Sequence, residues 1–385
     1  MKHIAILLPA MRVGGAEKIC LNFLDYIVRD YKVTMILSKK EGDLLSQVPD
    51  EIEIIEDRLL TFKEVVRNDL KKLNIKNLIK DFEYFLKIKI GRDSEKNYRY
   101  LVSRTPRRTE HYDCAISYVA NVSTQIFNLI ERIEADIKIG WLHGETTELK
   151  DTELFTKYYE KMDKIFAVSN MTRHHFIERF PKCKNRVEVY YNPIRVQDVI
   201  SRSTSNTPFE FSKKETNLVT VGRISPEKGM DMIPDIVEIL VSKMYQIHWF
   251  VVGDGPERQN VEKKVKDKKL DRFITLTGNQ LNPYPFISNC DLYVQPSYEE
   301  GYSTTICEAG ILGKAIIGTT TSGGIREQLE DGVDGILADP NPESLAEKIE
   351  YLIINDNIKN EMERNILKKD FSNACEYTKL RKVLE

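Results

Sequence analysis

The amino-acid sequence predicts an α/β protein of two successive halves, each a parallel sheet wrapped by helices. Short apolar β-rich runs alternate with helical patterns from residue 3 to residue 353, the signature of parallel-strand crossover units. A polar stretch, Ser201-Arg202-Ser203-Thr204-Ser205-Asn206-Thr207-Pro208, has linker composition, and the alternation starts again after it. Residues 291–319, DLYVQPSYEEGYSTTICEAGILGKAIIGT, read as strand, glycine-containing loop, helix and strand in close succession. The expected division is residues 1–195, a linker over 196–216, a second domain over 217–364 and a closing helical segment over 365–385.

The 385 residues suffice for two domains with separate cores. A formal charge of −2, with 41% hydrophobic and 30% charged residues, fits a soluble globular chain, and no apolar run reaches the ~20 residues of a membrane span. The six cysteines show no paired spacing, which speaks against a zinc site or disulfide framework and for a reducing cytosol. The start of the chain imitates a signal peptide, but its apolar run is short and Arg12 interrupts it, so 3–8 reads as a strand.

In the first half, that strand runs into Gly14-Gly15 and a helix over 16–29. Two glycines at a strand-to-helix turn allow close approach of backbone to a ligand, or simply a tight turn. Strands follow over 32–37 and 52–55. Residues 58–110 carry 15 Lys or Arg against 7 Asp or Glu, interleaved with Leu70, Leu73, Leu78, Ile79, Phe82, Phe85, Leu86, Ile88 and Ile90. This suits a surface resting on anionic lipid or an anionic acceptor, and equally a solvated basic face over a core helix. No nucleic-acid module accompanies the charge. Strands over 113–117, 137–142, 164–168 and 187–190 complete the half, and His143 stands just past the carboxyl end of the second of these. The adjacent His174 and His175 fall on different faces of a helix and read as surface residues.

In the second half, strand 217–221 leads into Gly222-Arg223-Ile224-Ser225-Pro226-Glu227-Lys228-Gly229, offering a fork-shaped and a point-like cation to phosphates. Strand 247–252 ends in Gly253-Asp254-Gly255-Pro256, where Arg258 replaces the third glycine of a dinucleotide fingerprint and argues against NAD. Strand 273–276 is followed by Gly278-Asn279. In residues 291–319, Glu300 lies in the loop beyond a strand's carboxyl end, where parallel sheets bind ligands, and Glu308 on the following helix. Eight residues of helix span about 12 Å, so the two are no acid and base pair of a glycoside hydrolase, which needs roughly 5 to 9.5 Å. They can hold opposite ends of one elongated ligand, while the amides of Ser303, Thr304 and Thr305 take an anion between them. Such a ligand is a nucleotide sugar. The plainer reading is an acid complementing the helix dipole and a surface glutamate.

These pieces together resemble the group 1 glycosyltransferases, the retaining GT-B enzymes of family four. The resemblance rests on VGRISPEKG at 221–229, VGDGP at 252–256, the glutamates 300 and 308 within PSYEEGYSTTICEAGILGKAIIGT, and GGIREQLEDGVDGIL at 323–337. In the first half it rests on Gly14-Gly15-Ala16-Glu17, His143-Gly144 and Ala167-Val168-Ser169-Asn170. It implies two Rossmann-like domains facing across a cleft. Arg223 and Lys228 would neutralise the donor diphosphate, Glu308 would bind ribose, and Glu300 with the amides after it would hold the transferred sugar. His143 would reach that sugar, Gly14 and Gly15 would lie near its phosphate, and Gly253, Asn279, Gly301, Tyr302, Ser303, Thr304 and Thr305 would complete the donor site. The family often has EGFGL here, with a second glycine where Gly301-Tyr302-Ser303 has Ser303, and its loss leaves the sugar open. The closing helix would return to the first domain.

The resulting expectation is a retaining, metal-independent transferase without a cofactor, moving a hexose or N-acetylhexosamine from a UDP-sugar to a saccharide or polyprenol-linked acceptor of the cell envelope. The chain would be cytoplasmic or peripheral on the inner face of the plasma membrane. The alternatives are an inactive GT-B partner subunit and a GT-B epimerase or phosphorylase.

Overall fold

The computed structural model of the chain describes all residues except 74, 76, 80, 82, 83, 85–93, 145 and 322. The contacts divide it into two units. The first comprises Met1–Val168, Thr172–Tyr190 and Tyr377–Glu385, and the second Ser169–Met171 and Tyr191–Glu376.

The first unit holds a seven-stranded sheet of β1 (His3–Leu8), β2 (Lys32–Leu37), β3 (Glu53–Glu56), β4 (His111–Ser117), β5 (Glu134–Leu142), β6 (Lys164–Ala167) and β7 (Val187–Val189), in the order 3-2-1-4-5-6-7. All pairings are parallel. Helices cover both faces of such a sheet, so its central strands read as unbroken apolar runs, as Ile4 to Leu8 do. Phe23, Tyr118, Trp141, Phe166 and Tyr190 form an aromatic cluster in which Trp141 meets Phe23, Phe166 and Tyr190 edge to face and Tyr118 at a tilt.

The second unit holds β8 (Thr216–Val221), β9 (Ile247–Val252), β10 (Ile274–Gly278), β11 (Leu292–Gln295), β12 (Ala315–Thr319) and β13 (Ile336–Ala338) in the order 10-9-8-11-12-13, again parallel throughout. This is the doubly wound order whose direction reverses between its first and fourth strands, here β8 and β11. Ligands of such sheets bind outside the carboxyl ends at that reversal.

Two expectations about the joints are corrected. The stretch read as a linker, 196–216, opens with a helix, Val196–Ser203, whose Val199 is buried in the second unit. Its serines are helix-ending residues here. The hydroxyls of Ser201, Ser203 and Thr204 donate back to carbonyls three residues earlier, satisfying the groups a helix terminus leaves open. The closing segment is also shorter than 365–385. Helix Asp356–Ile366 and the residues through Glu376 belong to the second unit, and only helix Tyr377–Leu384 belongs to the first. There Tyr377 and Arg381 bind Asp30, and Lys379 donates to the Val189 carbonyl.

In the basic segment, helix Phe62–Lys71 starts with a capping box between Thr61 and Glu64, and Arg58 grips Glu64 with both terminal nitrogens at 2.8 and 2.7 Å. Arg104 pairs with Asp69 and Asp81, so part of the positive charge is committed internally. Leu70, Leu73, Ile75 and Ile79 are exposed, Leu73 by 84%. Phe82, Phe85, Leu86, Ile88 and Ile90 of the expected apolar stripe lie outside the described residues.

Candidate active site

The loop after β8 and the loop after β11 meet at the reversal point of the second sheet. Gly229 makes the meeting possible: its φ is 63°, and a Cβ there would sit 2.1 Å from the Pro296 carbonyl oxygen. The amides of Tyr298 and Glu299 donate to the Glu227 carbonyl, tying the loops together. Lys228 then reaches across, its Nζ 2.7 Å from Glu300 Oε1. Both side chains are largely withdrawn from solvent, 22% and 9% exposed.

Glu300 Oε1 also accepts from Ser297 at 3.1 Å and from the Gln295 amide at 3.3 Å. Residues 221–229 and 296–301 therefore bring a cation and a carboxylate together where a parallel sheet binds ligands. Arg223 is exposed on the same loop as Lys228, and its guanidinium has no ion-pair partner among the described residues.

The helix after this loop is Thr304–Ile311, with Ser303 as N-cap accepting from the Ile306 amide. One expectation is corrected here. The Ser303 amide is not open at the helix start, because it donates to Gln328 Oε1 at 2.9 Å. Glu308 lies on the buried side of this helix, 6% exposed, and accepts at 3.4 Å from Tyr284. Burial, reinforced by the Glu308 charge, pushes the Tyr284 phenol far above its usual range, so it stays a donor.

Tyr302 departs from the expected donor set in its side chain. The ring packs at a tilt against Tyr191, centroids 5.1 Å apart, and the hydroxyl accepts from Asn373, so the phenol serves the unit's own packing. Gly253, with φ 146°, faces the Gly222 carbonyl, 1.8 Å from where a Cβ would stand, so its glycine character serves the crossing of the two loops. Asn279 is exposed beyond Gly278 at the end of β10.

In the first unit, Gly14 and Gly15 follow β1 and His143 follows β5, on the carboxyl side of a sheet whose order reverses between β1 and β4. Nothing lies within 4 Å of a Cβ built on Gly15, whereas one on Gly14 would meet the Glu17 carboxylate. His143 packs against Tyr118 at 4.9 Å and parallel to Trp141 at 6.3 Å. Burial lowers its pKa to about 4, which leaves a neutral imidazole at pH 7.

Sequence reasoning missed Gln295, Ser297, Tyr284 and Gln328. Gln295 had a legible signal, an amide closing the buried strand Leu-Tyr-Val-Gln. Gln328 had none, since its partner is a backbone group 25 residues away. Among the described residues, no three His, Cys, Asp or Glu side chains converge as a metal-ion site.

Residues 202–369 match the family described as glycosyl transferases group 1, a span that includes Arg223, Lys228, Gln295, Glu300, Glu308 and Gln328. An uncharacterized glycosyltransferase of Methanocaldococcus jannaschii is 26% identical over 348 residues, covering 86% of this chain and 90% of the relative. The chain thus resembles the group 1 glycosyltransferases, by sequence pattern over residues 202–369 and by similarity to named relatives over most of its length. The chain is also 20% identical over 373 residues to the N-acetylgalactosamine-N,N'-diacetylbacillosaminyl-diphospho-undecaprenol 4-alpha-N-acetylgalactosaminyltransferase of Campylobacter jejuni, covering 93% of this chain and 92% of that one. Its fold is that of the GT-B enzymes. Anabaena HepE, solved in complex with UDP and glucose, matches with a TM-score of 0.74 at 17% identity, over 100% of this chain and 99% of that one.

Proposed function

We propose that this glycosyltransferase moves a hexose or N-acetylhexosamine from a UDP-sugar to a saccharide acceptor carried on a lipid or cell-surface polymer, retaining the anomeric configuration and using no metal ion. The observation that carries the reading is the Lys228–Glu300 pair at the reversal point of the second sheet, with the buried Glu308 on the helix that follows. A donor diphosphate entering there meets Lys228, Arg223 and the amides of Thr304 and Thr305. These supply the leaving-group stabilisation a metal would otherwise give. Lys228 then exchanges Glu300 for phosphate, which releases the carboxylate oxygen toward hydroxyls of the transferred sugar. Glu308 takes the ribose hydroxyls. With no side chain among the described residues placed as nucleophile, the acceptor oxygen attacks on the face the phosphate leaves, and the departing phosphate takes its proton.

The names of the relatives agree with this reading: one acts on a diphospho-undecaprenol saccharide, and one binds UDP and glucose. An inactive partner subunit could lose the charged set, yet Arg223, Lys228, Glu300 and Glu308 are all present. The test is thermal shift and calorimetry with UDP, GDP, ADP and a set of UDP-sugars. A ligand at 100 times its Kd adds about 2.7 kcal/mol. Stabilisation by GDP or ADP but not UDP overturns the donor class, and stabilisation by none overturns the assignment of the site.

The exposed Leu70, Leu73, Ile75 and Ile79 within a segment carrying 15 basic and 7 acidic residues favour a second element, attachment to the anionic inner face of the plasma membrane. Each Lys or Arg near such a surface is worth about 1 kcal/mol. Salt-sensitive flotation with phosphatidylserine vesicles is expected, and equal flotation with neutral vesicles, or none, refutes it.

A further inference from the structure

Beneath Glu300 lies an amide whose bonding capacity is filled. Gln295, the last residue of β11, is 1% exposed. Its Nε2 donates to Ser297 Oγ at 2.8 Å and to Glu300 Oε1 at 3.3 Å. Its Oε1 accepts from the Tyr293 hydroxyl at 2.7 Å and from Thr305 Oγ1 at 3.1 Å. A primary amide has two donors and an acceptor with two lone pairs, and here all four are used. Thr305 is further joined to the Ser303 hydroxyl at 3.1 Å. One side chain thus connects the carboxylate of the loop to the first turn of the helix whose amides face the same ligand.

The orientation of this amide is determined by its neighbours. Tyr293, fully buried, gives its hydroxyl hydrogen to Gln295 Oε1 at 2.7 Å, its other acceptor, the Val221 carbonyl, lying at 3.5 Å, and so sets which end of the amide accepts. The other end then has to point its hydrogens at Ser297 and Glu300. Together with Lys228 these donors converge on Oε1 of Glu300, fixing the plane of the carboxylate. Neither leucine nor methionine at 295 could do this, and an ionised glutamate would present the wrong charge.

We infer that Gln295 is a positioning residue for sugar transfer: it orients the Glu300 carboxylate and locks it in register with the start of the Thr304–Ile311 helix. The inference rests on the donor reading given above. It predicts a larger effect on the sugar half of the donor than on the nucleotide half, because Gln295 bonds the Glu300 carboxylate directly and reaches the phosphate-facing amides only through the Thr305 side chain, while the ribose is assigned to Glu308.

The experiment uses the full chain with UDP and with whichever UDP-sugar the wild type binds and hydrolyses. In Gln295→Met, UDP affinity stays within about threefold while release of UDP from the UDP-sugar slows about 10- to 100-fold, the cost of a small misplacement of a reacting group. Wild-type turnover with Gln295→Met overturns the inference, and so does an equal loss of UDP and UDP-sugar binding. Gln295→Glu covers the case in which Gln295→Met fails to fold. Protonated, its carboxyl still accepts from Tyr293 and Thr305 and donates one hydrogen. Ionised, it faces Glu300 carboxylate to carboxylate, with Lys228 the nearby cation and Glu308 and the neutral Tyr293 phenol the other titratable groups around it. One carboxyl of the new pair therefore titrates high. Turnover by Gln295→Glu should match the wild type best at low pH and fall away from it as pH rises. A profile parallel to the wild type's overturns the inference. A wild type that binds no UDP or UDP-sugar instead defeats the donor reading, and the inference with it.

Discussion

Replacing Lys228 by Met tests the central pair most directly, because the two residues respond unequally. The pair sits 2.7 Å apart with 22% and 9% of the side chains exposed, between an exposed ion pair, worth about 0–1 kcal/mol, and a buried one, whose breaking costs about 3–5 kcal/mol. Glu300 keeps its hydrogen bonds from Ser297 and Gln295, which softens the loss. The expected cost of Lys228→Met is therefore about 2 kcal/mol, a fall of roughly 4–8 °C in Tm for a unit of this size. Glu300→Gln leaves a lysine that can turn to water, and should cost less than about 1 kcal/mol. In the double variant no buried carboxylate is left unpaired, so stability should return to within about 1 kcal/mol of the wild type. UDP affinity should not return, since the diphosphate has lost its cation. Urea unfolding and UDP calorimetry on the four proteins of the cycle measure both. A Lys228→Met protein as stable as the wild type, or UDP binding restored in the double variant, would refute the reasoning.

Three further predictions concern the other site residues. Glu308→Ala should weaken UDP and UDP-sugar alike by about 10- to 150-fold, the worth of a charged hydrogen bond, while Glu300→Gln leaves UDP affinity nearly intact and lowers single-turnover transfer; the reverse pattern would invert the donor's orientation. Transfer should persist in EDTA, and complete loss with rescue by Mn²⁺ or Mg²⁺ would overturn the metal-free reading. For His143 the folded pKa of about 4 lies below the unfolded value near 6.5, so the unfolded state binds the proton first and stability falls as pH drops from about 6.5 toward 4. Between pH 7 and 4.5 the wild type should lose about 2 kcal/mol more than His143→Gln, measured by urea midpoints, and equal losses would mean that the imidazole is not buried as described.

The alternation of strands and helices, and with it both sheets, was legible in the sequence because parallel strands covered on both faces are apolar along their whole length. Residues 4–8, 247–252 and 315–319 could be nothing else in a chain of this composition. The candidate site residues stand out in the sequence for a related reason. Loops beyond the carboxyl ends of such strands carry the ligand groups, so Arg223, Lys228 and Glu300 could be picked out by where they stand in their units. Pairwise geometry was not. That Lys228 meets Glu300 depends on the order in which β8 and β11 pair, a contact 72 residues apart in sequence. The same holds for the Ser303 amide, which sequence leaves open and which Gln328 fills from a helix beyond β12. The serines at 201 and 203 carry the composition of a flexible linker, yet they end a helix because Val199 finds an apolar surface in the second unit. Local sequence specified which groups each loop would present and the periodicity of the elements between them. The tertiary structure decided which buried polar group satisfies which other, since a hydrogen bond between distant segments leaves no periodic trace, and burial makes each of those bonds obligatory once the sheet is formed.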